Sequence, residues 1–177
     1  QNINIPNLKN IDFLVIKKID NKVVIQMTII RNGCNYGSKS YFPNPGRNGT
    51  DVNENEIMQA FICQFYEKNI PAESILVNEY PKDKSLIEEF LRTKHAFKVE
   101  IESPQRGKKL ELINSTLKNA EENLNRKIYE KSSNQKNLLK LQDAFHFRKK
   151  IKKLEVYDNS HHQGKSPVGA MTVSYTH

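Results

Sequence analysis

The chain has 177 residues, with 28 Lys and Arg against 20 Asp and Glu, a net charge of +8, and a hydrophobic fraction of 37%. That length allows one ordinary domain and part of another, and the lean apolar content still permits a core. No apolar run approaches the ~18 residues needed to span a bilayer, Cys34 and Cys63 lack metal-site spacing, and the positive balance favours an anionic partner such as nucleic acid.

Residues 1–8, Asn-rich with Pro6, read as a linker. Ile11 to Ile19 is an apolar stretch. Asp20-Asn21 turns the chain, and Lys22 to Arg31 alternates with Val23, Ile25, Met27 and Ile29 on one face. Asn32-Gly33 is a second turn and Ser38 to Phe42 a third strand, so the chain opens as a meander. Residues 43–49 carry two prolines and two glycines and form a loop. Asp51 and Glu54 have capping-box spacing, which predicts a helix from about Asn53 to Lys68, closed by Pro71. Ile57, Phe61 and Phe65 form one stripe of it, with Met58, Ile62 and Tyr66 beside them.

Ser74 to Val77 is a short buried-strand candidate. Asp83 caps a short helix with Leu86, Ile87, Phe90 and Leu91 turned inward, and Lys98 to Ile101 is a further strand. Three strands, helix, strand, helix, strand is the order of an α/β mixed sheet flanked by helices. After Pro104-Gln105-Arg106-Gly107, a long helix carries Leu110, Ile113, Leu117, Ala120, Leu124 and Ile128 at alternating spacings of three and four. Ser132-Ser133-Asn134 is expected to break it, with a second helix following through Phe145.

A basic run, Arg148, Lys149, Lys150, Lys152 and Lys153, leads into a last strand signal that ends at Asp158. Asn159, Ser160 and Gly164 make a polar turn, and Val168 to Val173 returns at hairpin distance. An acid at a strand end, backed by a hairpin partner, can hold a metal in a rigid place, and carboxylate oxygens suit Mg²⁺. Adjacent His161 and His162 point apart in such a segment and make no chelate. Ser160 with His161 makes no nucleophile–base pair, because no third orienting group is visible.

Tyr157-Asp158-Asn159-Ser160-His161, Gly164 and Val168-Gly169-Ala170-Met171 resemble the start of the C-terminal nuclease domain of the UvrC family. Gly33, Gly37, Tyr41-Phe42-Pro43, Gln64-Phe65-Tyr66, Pro71, Pro104-Gln105-Arg106-Gly107 and Asn119-Ala120 extend the resemblance over residues 9–173. UvrC is the incision subunit of excinuclease ABC in bacterial nucleotide-excision DNA repair. The resemblance implies a degenerate ribonuclease H-like scaffold domain over residues 9–148. It implies the truncated start of a catalytic ribonuclease H-like nuclease domain, an incomplete β-hairpin, over residues 149–177. Asp158 then falls on the catalytic metal ligand of the family, which uses Mg²⁺ or Mn²⁺. The remaining acids, the catalytic histidine and the helix-hairpin-helix DNA module of the family would lie downstream. The segment that contacts the UvrB partner in the UvrB–DNA complex would lie upstream.

The chain does not begin with Met and shows no signal-peptide pattern, so it reads as an internal piece of something longer, and the distant Cys34 and Cys63, expected to be reduced, suit a cytoplasmic protein. By itself it is expected to bind no metal stably, because two metal ions ~3.5–4 Å apart need several converging acids. No catalytic role is expected upstream of residue 150, where Asp12 sits at a strand start and Glu79 and Asp83 read as loop acids. Arg106, Lys108, Lys109, Arg148, Lys149, Lys150, Lys152 and Lys153 are the densest cationic clusters, and they imply weak, non-specific DNA contact. The alternative is a non-enzymatic basic module that binds nucleic acid or a partner without any part in incision.

Overall fold

The computed structural model describes residues 10–44 and 53–149, and the backbone of residues 153–162 and 165–175. Seven strands and three helices follow in order: β1 (Asn10–Ile19), β2 (Lys22–Arg31), β3 (Cys34–Tyr41), α1 (Glu54–Lys68), β4 (Ser74–Val77), α2 (Lys84–His95), β5 (Glu100–Glu102), α3 (Gly107–Ala144), β6 (Lys153–His162) and β7 (Lys165–Tyr175). The first five strands form one sheet in the order β3-β2-β1-β4-β5. β1, β2 and β3 pair antiparallel, whereas β4 joins β1 in parallel and β5 joins β4 in parallel. Two-residue turns suffice for the meander, but parallel neighbours need a crossover, and α1 and α2 supply the helices for it. The mixed α/β sheet expected from the element order is present, with five strands.

Asn32 (φ 51°) and Gly33 (φ 74°) are both left-handed, as a type I′ hairpin turn requires. β3 then bulges, because Ile29 pairs with Gly37 and Ile30 with Asn35, leaving Tyr36 over. The bulge twists an edge strand that would otherwise offer a straight row of backbone groups. At the other end of the ladder, the side chain of Asn78 takes over where β4 stops. Its Oδ1 accepts from Ile16 N (2.8 Å) and its Nδ2 donates to Ile16 O (2.9 Å), copying one more residue of strand.

One sheet face, with Leu14, Ile16, Ile25, Met27, Ile75 and Ile101, packs on Met58, Ile62 and Tyr66 of α1 and Ile87 and Leu91 of α2. The alternate residues Gln26 and Ser40 meet α3, where Asn123 Nδ2 donates to Gln26 Oε1 (3.1 Å) and Ser40 Oγ (2.9 Å). Ile113, Thr116, Ala120 and Leu124 are the buried residues of this half of α3. β1 is buried over six consecutive residues because it is central and covered on both sides.

Several expectations are corrected. α3 is one helix of 38 residues, not two. Ser132-Ser133-Asn134 does not break it, because residues 108–144 hold no Gly or Pro and Ser132 Oγ donates back to Tyr129 O (2.8 Å). α1 is capped by Asn53, whose side chain accepts from Asn55 N, and Asp51 lies outside the described residues, as do residues 45–49 of the loop. Asp83 holds the N-cap position of α2, but its carboxylate accepts from Gln59 Nε2 rather than capping a backbone N–H. Only Ile87 and Leu91 of α2 are buried; Leu86 is 64% exposed and Phe90 38%, since the sheet covers a narrower strip than four apolar residues would fill. β5 starts at Glu100 and β3 at Cys34.

β6 and β7 form a separate two-stranded antiparallel sheet. By compactness the protein divides into residues 1–125 and residues 126–177. No described helix is long and apolar enough to cross a membrane.

Candidate metal-ligand position and nucleic-acid interface

Asp158 lies in the middle of β6, opposite Ala170 of β7. The expected end of strand at Asp158 is therefore corrected. Asn159 and Ser160 continue the ladder, paired with Gly169 and Val168, and the chain reverses after His162. Polar residues with weak strand preference stay extended here because cross-strand pairing outweighs local preference. The two-residue repeat puts residues 154, 156, 158 and 160 in one series and Glu155 in the other. The hairpin thus offers one carboxylate position to the face of Asp158. A lone carboxylate does not fit a pair of metal ions, which needs acids from several elements. Among the described residues no three His, Cys, Asp or Glu side chains gather as a metal site.

The five-stranded sheet has one buried carboxylate, and it is locked. Asp12 is fully buried on β1. Its Oδ1 accepts from Arg31 Nη1 (2.6 Å) and its Oδ2 from Tyr66 Oη (2.8 Å), Ala72 N (2.9 Å) and Arg31 Nη2 (3.3 Å). With both oxygens engaged and a guanidinium alongside, this carboxylate joins β1, β2, α1 and the segment after α1. It is a structural hub rather than a free ligand. Glu79 is exposed in the loop after β4.

Burial, reinforced by the negative charge of Asp12 and the hydrogen bond to it, holds the Tyr66 phenol well above its ordinary range. The folded state keeps this proton when the unfolded chain gives it up, above pH ~10. The associated stability is complete below pH ~10 and falls as pH rises beyond it, by at most ~1.4 kcal/mol per pH unit. Tyr66→Phe is expected to flatten that alkaline decline. At neutral pH it should cost about 1.5–3 kcal/mol, the worth of a hydrogen bond to a charged group. Urea unfolding at pH 7 and above pH 10 checks both; an unchanged alkaline slope in the variant would assign the decline to other groups.

The cationic residues fall into two clusters that flank α3. Arg106 and Lys108 are exposed just before and within its first turn, where free N–H groups add positive potential. Lys109 is half-buried, and its Nζ donates to Glu102 Oε2 (2.9 Å), which offsets its charge. Arg148 and Lys149 are exposed beyond the end of the helix. Lys150 and Lys152 lie outside the described residues, and Lys153 opens β6. A groove of about 480 Å³ between α2 and β5 is lined by Lys84, Arg92 and Lys98 together with Glu88, Glu89, Glu100 and Glu102, so it offers no net positive field to phosphate. The signal for the Asp12 hub was present in the sequence. With Ile19 paired to Lys22, Arg31 falls diagonally across from Asp12, at cross-strand reach.

Residues 10–127 match the family described as "UvrC Ribonuclease H-like domain", and residues 142–177 the family described as "UvrC RNAse H endonuclease domain". The protein is similar to the UvrABC system protein C of Hyphomonas neptunium, 37% identical over 174 residues that cover 98% of this chain and 28% of that protein. It is 37% identical to the namesake from a Jannaschia species, over 98% of this chain and 27% of that protein. The Zymomonas mobilis protein is 35% identical over 177 residues, 98% of this chain and 26% of its own length. The chain thus spans little more than a quarter of the curated relatives it matches.

Proposed function

The chain belongs to the UvrC family, and we propose that it provides the scaffold domain and the opening hairpin of the nuclease domain of an incision subunit in bacterial nucleotide-excision repair. The observation that carries this reading is the succession of two family matches along one chain, scaffold first and nuclease second. Residues 9–148 are the scaffold and residues 149–177 the start of the nuclease domain. The end of α3 at Ala144 and the opening of β6 at Lys153 support that division. The locked state of Asp12 supports a scaffold without a working acid.

Asp158 is a ligand for a divalent cation, Mg²⁺ or Mn²⁺, in the complete site. There the cation would stabilise charge on the attacking and leaving oxygens of phosphodiester hydrolysis. The segment described contributes DNA contact and one ligand to that site. The UvrB–DNA complex is the partner of the whole incision subunit. Arg106, Lys108, Arg148, Lys149, Lys150, Lys152 and Lys153 meet phosphates, and Lys109 does so more weakly because of Glu102.

Such contact is electrostatic. The chain is expected to bind duplex DNA without sequence preference, with Kd on the order of 10⁻⁴–10⁻⁶ M at physiological salt. Affinity should fall steeply as salt rises from about 50 to about 200 mM. A titration by fluorescence anisotropy of a labelled duplex tests it. Binding indifferent to salt, or strongly dependent on sequence, would remove the phosphate-contact reading.

A further inference from the structure

The end of α3 presents two phenylalanines that lie outside the core of the described residues. Phe147 N donates to Gln142 O (3.0 Å) and His146 N to Asp143 O (3.2 Å), while His146 is left-handed at φ 51°. Those are the paired bonds of a Schellman motif, which fixes the direction of the chain as it leaves a helix. Phe145 and Phe147 flank the left-handed residue, and their rings stack with centroids 5.8 Å apart and planes inclined at 23°. Phe145 is 66% exposed and Phe147 53%. Leaving two large rings in water forgoes the stabilisation that burial would bring. Arg148 and Lys149 follow at once, both exposed, and the chain continues with Lys150, Lys152 and Lys153.

We propose that Phe145 and Phe147 form a platform on which an unpaired base of single-stranded DNA stacks, with Arg148 and Lys149 holding the adjoining phosphates. The inference rests on the DNA-contact reading and names the form of DNA that this cluster takes. Aromatic faces set beside a basic run match a strand that offers bases and phosphates together. A duplex offers its phosphates but keeps its bases stacked inside, so it would use the cations and not the rings. The motif holds the rings in place before the strand arrives, which limits the ordering cost of binding.

The test compares the 177-residue chain with Phe145→Leu/Phe147→Leu, which keeps apolar bulk and removes the aromatic faces. Binding of an oligothymidylate of about 12 nucleotides and of a blunt duplex is measured over a range of salt, with thermal melting followed in parallel. The double variant should bind the oligothymidylate at least about fivefold more weakly, the loss of one stacked base. Duplex affinity and the salt slope should stay unchanged, because no phosphate contact is removed. Salt-dependent binding of both ligands, unaltered by the substitutions, would overturn the platform and leave the DNA-contact reading standing. A lower melting temperature with both affinities reduced alike would make the pair a seat for polypeptide and overturn the platform. Failure of the unaltered chain to bind either ligand would overturn the platform and the DNA-contact reading together.

Discussion

Asp12→Ala is expected to cost about 3–5 kcal/mol of folding stability, the usual loss when one partner of a buried ion pair is removed. The carboxylate is wholly buried, whereas the Arg31 side chain keeps 27% of its surface in water. Part of the stranded guanidinium charge would therefore be solvated. The Tyr66 hydroxyl and the Ala72 N–H have no such relief, since both residues are buried, and each unsatisfied group accounts for about 1–3 kcal/mol of that loss. A domain of this size has only about 5–15 kcal/mol to lose. Chemical denaturation of the two proteins at neutral pH measures the difference. A loss below about 1 kcal/mol would show that the four donors find other acceptors and that Asp12 does not hold β1, β2 and α1 together.

Asp158→Asn is expected to abolish incision on the 5′ side of a lesion, by more than about 100-fold, in a UvrC chain that carries this segment together with the downstream nuclease residues. The substitution keeps the size of the side chain and removes the negative charge that neutralises the cation. In the 177-residue chain the same change should alter no nuclease activity, because one carboxylate does not hold a metal pair. The UvrC resemblance assigns 3′ incision to a separate N-terminal nuclease, so that cut should persist and shows that the variant still folds and assembles. Incision of a damaged duplex labelled on either side separates the two cuts. Full 5′ incision by the variant would return Asp158 to an ordinary residue of an antiparallel strand.

The sequence by itself determined the order of elements as far as the start of α3, because those signals are local. The alternation from Val23 to Ile29 and the three-and-four spacing from Leu110 to Ile128 report which way successive side chains face. Asn32-Gly33 specified its own turn, since few residues tolerate two left-handed conformations in a row. Tyr157 to His161 with Gly164 and Val168 to Met171 pointed to the UvrC family, and the chain belongs to it. Only the tertiary structure decided the rest. The partners of Asp12 stand 19, 54 and 60 residues away, so no window of sequence displays the hub whole. Periodicity marked Leu86 and Phe90 as apolar but could not say how wide a strip the sheet would cover. The polar triplet at residues 132–134 looked like a break, yet each such residue costs at most ~0.7 kcal/mol in a helix, too little to stop one without Gly or Pro. Asn159 and Ser160 looked like a turn until β7 paired with them. In each case the local preference is worth less than 1 kcal/mol, and the contacts that override it come from residues far along the chain.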